Sequence, residues 1–238
     1  MRFLLSFVFT CSLMLASSPS DIENEFSDKT YVDLKEEDIL FELVLSILGS
    51  QNKYEVALKF TEEIQKHNLL KLINTEFEMK KVQNKIENIL ISSVCVEDKS
   101  IRYRFPKSRA EYIAYNLWFI NSINGMKYFL ESETSYLEVR KFFVKNIKGI
   151  GPKQASHFLR NIGFSNNIAI LDVHVLRYMQ IQGLIDESIR TISSLNMYEK
   201  IENLLKNFLK YLSYPIGLID QAIWVVMRVY KREFSKWQ

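Results

Sequence analysis

Lys153 and Asp172 are the side chains whose types and surroundings point most directly to chemistry. Lys153 follows the run Ile147-Lys148-Gly149-Ile150-Gly151-Pro152 and opens a stretch, Lys153–Ile162, with helical apolar spacing. A lysine in the first turn of a helix faces the positive end of the helix dipole, and nucleophilic lysine chemistry uses the neutral amine. At this point a solvated or phosphate-binding lysine accounts for the residue as well. Asp172 ends the apolar run Ala169-Ile170-Leu171 and precedes Val173, Leu176 and Met179 at helical spacing, so it reads as an N-cap. A carboxylate beside a nucleophilic amine also stabilises a cationic intermediate and helps move protons; the two roles are compatible.

The element that must position the lysine is a pair of helices. Tyr136–Asn146 has helical periodicity, Gly149 and Gly151 interrupt it, and a second helix starts at Pro152, a residue suited to the first helical position. Apolar-Gly-apolar-Gly between two helices predicts a helix–hairpin–helix over 147–152. Both glycines are expected to adopt backbone conformations closed to other residues and to let a phosphate approach the main-chain N–H groups around Ile150. Such a motif holds the nucleic-acid backbone and carries no sequence preference. The charge distribution agrees: residues 101–160 hold 11 Lys+Arg against 4 Asp+Glu, whereas residues 1–100 hold 11 against 17. A local surplus of that size fits an anionic partner, nucleic acid being the commonest; a solvated basic face is the plain alternative.

The rest of the chain reads as helical. Only 7 glycines and 4 prolines among 238 residues argue against a turn-rich β fold. Helices are expected over Glu36–Leu48, Tyr54–Lys66, Glu76–Ile91, Arg109–Ile120, Asp172–Gln180, Tyr198–Tyr211 and Gly217–Tyr230, about nine or ten in all, with no convincing strand pair. Asp98–Ser108 reads as a polar loop. Two cysteines cannot build a disulfide framework, a four-cysteine iron–sulfur cluster or a cysteine-based zinc site, and three histidines make a multi-histidine site improbable. No cofactor or metal is expected, and no spanning helix after the first 20 residues. Residues 1–20, with Arg2, an apolar run and then Ser17-Ser18-Pro19-Ser20, have the form of a secretory signal or of an extra apolar helix. The body of the protein is residues 21–238.

The stretch Ile147–Arg177, IKGIGPKQASHFLRNIGFSNNIAILDVHVLR, resembles the helix–hairpin–helix (HhH-GPD) superfamily of base-excision DNA glycosylases. It is most similar to the short archaeal-type 8-oxoguanine DNA glycosylase/AP lyases. Tyr103–Ile113 (YRFPKSRAEYI) and, more weakly, Ile39–Lys53 extend the similarity, which covers roughly residues 30–230. The resemblance implies an all-α fold of two helical subdomains carrying the hairpin. It implies that Lys153 is the Schiff-base lysine and Asp172 the essential aspartate. Gly149, Ile150 and Gly151 would hold DNA phosphate. Arg104 and Phe105 match a segment that approaches the gap left by a flipped base. Trp224 matches an aromatic beside the lesion pocket, with Asp220 one helical turn away on the same face. Gln51, after the Gly49-Ser50 break, is a candidate reader of a base edge. His157, one turn after Lys153, reads as structural. In the family a short Gly-Lys tail helps recognise the damaged base; here Val229–Gln238 contains no glycine, so other groups must do that work.

The implied partner is damaged double-stranded DNA, bound by a monomer in the cell with the genome and not at a membrane. Four readings remain at this level: an 8-oxoguanine glycosylase/lyase, a lyase for another oxidised base or for abasic sites, a non-catalytic DNA-binding protein, and a secreted helical protein supported by residues 1–20 alone.

Overall fold

Thr75, Ser135, Gly151 and Asp172 each stand where a helix begins, and the chain between such points is mostly helix. The computed structural model describes residues 31–133, 135–212 and 214–234. Both the apolar segment 1–20 and the last four residues of the tail lie outside them. After a 3-10 turn at Tyr31–Asp33 come ten α-helices. They are α1 (Glu36–Leu48), α2 (Tyr54–Lys66), α3 (Glu76–Ile91), α4 (Pro106–Ser122), α5 (Met126–Ser132), α6 (Tyr136–Asn146), α7 (Pro152–Asn161), α8 (Val173–Ile181), α9 (Leu195–Leu209) and α10 (Ile216–Phe234). The chain divides into two units, one spanning Tyr31–Ile162, the other beginning at Gly163.

In the first unit α1 is the central element. Ile39, Leu40, Leu43, Val44, Leu45, Ile47 and Leu48 are all buried, so this helix is apolar nearly all round and is surrounded by α2, α4, α5 and α7. Glu36, Glu37 and Asp38 face its positive end, and Asp38 accepts a hydrogen bond from the Lys35 N–H at 3.0 Å. Thr75 caps α3 by accepting from Glu78 N–H at 3.2 Å.

Several features depart from the sequence expectation, among them α9, which starts at Leu195, a turn before the expected Tyr198. Ser93–Val96 (β1) and Lys99–Arg102 (β2) form an antiparallel hairpin where no strand pair was expected. Its two-residue turn is Glu97-Asp98, both at positive φ (49° and 60°), the geometry usually signalled by Asn-Gly. The seven-residue α5 was not anticipated. Its first two N–H groups, on Met126 and Lys127, donate to the Glu36 carboxylate at 2.7 and 2.8 Å, a cap supplied from 90 residues away. Finally, α4 starts a turn earlier than expected, because Pro106 occupies the first helical position without losing a bond.

In the second unit α8, α9 and α10 enclose a core of Val175, Leu176, Met179, Tyr198, Ile201, Leu205, Ile219, Ile223 and Met227. The extended segment before α8 runs into this core, and its main chain is held by side chains. Tyr198 OH donates to Ala169 C=O and accepts from Leu171 N–H, both at 3.0 Å. Glu202 accepts from Ala169 N–H at 2.9 Å, and Asp220 accepts from Ile170 N–H. Buried main-chain groups left unpaired would each cost about 1–3 kcal/mol, so this set fixes the segment that delivers Asp172.

Candidate active site and nucleic-acid interface

The hairpin between α6 and α7 is anchored from both sides. Ile147 and Ile150 are buried, the apolar halves of the turn. Between them Lys148 is gripped by Asn116 of α4, which accepts from Lys148 N–H and donates to Lys148 C=O, both at 2.9 Å. The Lys148 ammonium lies 4.0 Å from the centroid of the Tyr115 ring and 3.4 Å from a Glu111 oxygen. The N–H groups of Gly149 and Gly151 have no protein acceptor among the described residues, as a phosphate-binding turn requires.

The two glycines turn out to differ. Gly149 has φ +82°, and a Cβ there would meet Tyr112 Cδ2 at 2.8 Å. Gly151 is extended (φ −98°, ψ 179°), a conformation open to any residue, and its Cβ would meet the movable end of Gln154 at 3.2 Å. Only the first glycine therefore carries the backbone requirement expected of both. Gly149→Ala is expected to destabilise the protein by about 1–3 kcal/mol through positive φ and ring overlap, lowering the melting temperature by several degrees. Gly151→Ala should cost less, about 0.5–1 kcal/mol, because alanine is the poorer N-cap residue. Thermal melts of the two variants check the contrast; equal losses would contradict it.

Lys153 is exposed in the first turn of α7, and its ammonium makes no ion pair or hydrogen bond among the described residues. His157, one turn on, is half-buried and accepts from Asn161 Nδ2 at 3.3 Å through Nδ1 when neutral. Burial, then the charges of Arg160 and Lys153, push its pKa down from 6.5 to about 4. The unfolded chain therefore takes up a proton between those values that the folded protein refuses, and stability declines as pH falls from about 6.5 towards 4. Melts at pH 7 and pH 5 should show this decline, and His157→Gln should shrink the difference between the two pH values. An undiminished difference in the variant would assign the decline to other groups.

The Gly49–Asn52 turn lies against the start of α7, since Gln154 Nε2 donates to Ser50 Oγ at 3.2 Å. Gln51 is exposed there at φ 63°, an uncommon conformation for a non-glycine residue, as found at functional turns. Asn52 donates to Leu48 C=O at 3.2 Å, and so does the Tyr103 hydroxyl, at 2.7 Å. Tyr103 also packs edge-on against Phe60. It thereby ties the Arg104–Phe105 segment to the end of α1 that carries Gln51. Arg104 is exposed, its guanidinium 5.0 Å from the centroid of the half-buried Phe105 ring. Gln51, Arg104 and Phe105 thus share the unit that holds the hairpin and Lys153.

Asp172, Asp220 and Trp224 belong to the second unit. Asp172 is the N-cap of α8: one oxygen, Oδ1, accepts from both His174 and Val175 N–H at 2.9 Å. Its Oδ2 takes no hydrogen bond among the described residues, so capping leaves half of the carboxylate available. Trp224 is half-buried on α10. The His174 ring stands edge-on to it at 6.2 Å, placing the indole beside the first turn of α8. Asp220 is 1% exposed and accepts from Ile170 N–H, so it braces the segment before Asp172. Tyr198 and Glu202, which do the same work, were missed because both sit at ordinary core-facing helix positions.

The sequence profile described as 8-oxoguanine DNA glycosylase, of the helix–hairpin–helix class, matches residues 22–214. The chain belongs to the 8-oxoguanine DNA glycosylase family. A relative from Methanocaldococcus jannaschii, named 8-oxoguanine DNA glycosylase/AP lyase, is 40% identical over 126 residues, 53% of this chain and 58% of the relative. The chain spans about half the length of the curated relatives it matches. The crystal structure of the 8-oxoguanine DNA glycosylase of Thermotoga maritima superposes with a TM-score of 0.70 at 28% identity, covering 94% of this chain and 96% of that one. The Methanocaldococcus jannaschii enzyme in complex with a 15mer DNA containing 8-oxoguanine gives 0.67 at 28% identity, covering 90% and 93%. The glycosylase family's helical fold and its hairpin are thus both present here.

Proposed function

We propose that the protein is a bifunctional DNA glycosylase/AP lyase that removes 8-oxoguanine from duplex DNA. The observation that carries this reading is Lys153: an exposed amine without a protein partner among the described residues, in the first turn of the helix that follows a hairpin whose Gly149 and Gly151 N–H groups are likewise open. In this account the hairpin holds a phosphate, and the target nucleotide is rotated out of the stack. Phe105 wedges into the space left behind, with Arg104 and Gln51 against the partner base or backbone. The nitrogen lone pair of Lys153 forms a bond to C1′ as the bond from C1′ to the base breaks. The electron pair leaves with the base, which takes up a proton. The free oxygen of Asp172 faces the positive charge that develops on the sugar. The amine proton passes to the ring oxygen O4′ as the C1′–O4′ bond breaks, which gives a Schiff base, and removal of a C2′ proton then expels the 3′ phosphate. The partner is damaged double-stranded DNA, met by a monomer inside the cell.

A single-turnover assay tests this reading on duplexes with 8-oxoguanine opposite each normal base, beside an abasic and an undamaged duplex. Release of 8-oxoguanine with strand nicking supports it. Nicking of the abasic duplex alone retains the lysine chemistry and rejects this base as substrate; no nicking returns the protein to the class of DNA-binding modules.

A further inference from the structure

Arg228 lies one turn after Trp224 on α10, its guanidinium 4.5 Å from the centroid of the indole ring. It is exposed and makes no ion pair or hydrogen bond with protein among the described residues. A guanidinium has five N–H donors and no acceptor, so here a full set of donors stands unclaimed beside a half-buried aromatic. The same indole touches His174, whose main-chain N–H is held by Asp172. The cation is therefore gathered with Trp224 at the start of α8, in the neighbourhood of the Asp172 carboxylate and within one structural unit.

We propose that Arg228 is a specificity-determining residue for the excised base, selecting a purine that carries carbonyl oxygens. This rests on the proposed glycosylase function and on the resemblance that makes Trp224 an aromatic beside the lesion pocket, here taken as the surface on which the extruded base stacks. In the free protein the guanidinium covers the ring. An entering base takes its place, and the flexible stem lets the guanidinium move to the rim of the ring, where its donors meet a carbonyl oxygen. 8-Oxoguanine offers such oxygens at C6 and C8, whereas adenine presents an amino group at C6 and would face donors with a donor. A plain surface stacking pair, by contrast, would add slightly to stability and nothing to base choice.

The test compares the unaltered protein with Arg228→Ala and Arg228→Lys in single turnover on two duplexes, one with 8-oxoguanine and one with a preformed abasic site. The expected result is at least a tenfold fall, in Arg228→Ala, of the ratio of base release to abasic nicking. Arg228→Lys should lie between the two, since it keeps charge and donors but not the planar fork. Equal falls on both duplexes would make Arg228 a phosphate contact and overturn the proposal, as would no change on either. If Arg228→Ala melts lower than the unaltered protein, Arg228→Lys decides by the same ratio: an intermediate value supports the proposal and an unchanged value overturns it. Failure of the parent reading is seen separately, in the unaltered protein, as no release of 8-oxoguanine; that result overturns both.

Discussion

Replacing Lys153 by glutamine is expected to abolish strand nicking and borohydride trapping, with a rate loss on the order of 10⁴ or more, while DNA affinity falls only a few-fold. The asymmetry follows from the local structure. The side chain is exposed in the first turn of α7 and makes no protein contact that the fold depends on. The hairpin is anchored elsewhere, by Ile147, Ile150 and the paired hydrogen bonds of Asn116 to Lys148. Glutamine keeps the length and polarity of the position but has no basic nitrogen, so no Schiff base can form. Single-turnover nicking together with fluorescence anisotropy on an abasic duplex separates chemistry from binding. Trapping that persists in the variant would mean that another amine is the nucleophile. A parallel collapse of affinity would mean that Lys153 serves mainly as a phosphate contact.

The second large effect is at Asp172, where two substitutions divide the residue's two duties. In Asp172→Asn the side-chain oxygen can still accept from His174 and Val175 N–H, so the cap of α8 survives and thermal stability changes little. What disappears is the negative charge, and base release should slow by about 10²–10⁴-fold. Asp172→Ala removes cap and charge together: the same slowing, plus a stability loss of about 1 kcal/mol. Melts and single-turnover base release on both variants check the division. An asparagine variant that melts as low as the alanine variant, or that releases base at a normal rate, would contradict it.

What was legible in the sequence follows from how local the determinants are. The bounds of α1, α2, α3 and α6 are those that apolar spacing marks, because each helix carries its own stripe and its own stop. The hairpin was equally legible, its parts being contiguous from Ile147 to Pro152. Helix α5 was not, since its cap comes from Glu36, far away in sequence. The β1–β2 hairpin was hidden because its turn uses Glu97-Asp98 in place of the usual glycine-bearing pair. At the candidate site, Lys153 and Asp172 stood out because each sits at a helix start. Tyr198 and Glu202 did not, because a residue that holds another segment's main chain looks, in its own helix, like any inward-facing position. The bracing role of Asp220 was hidden for the same reason: sharing a helical face with Trp224 says nothing of burial or of its bond to Ile170 N–H.

The most direct test of the central claim is reductive trapping. The protein is incubated with borohydride and a duplex bearing one 8-oxoguanine opposite cytosine, beside an undamaged duplex of the same sequence. A covalent protein–DNA adduct is expected on the damaged duplex alone, lost in Lys153→Gln. No adduct on the damaged duplex, or one that survives that substitution, would contradict it.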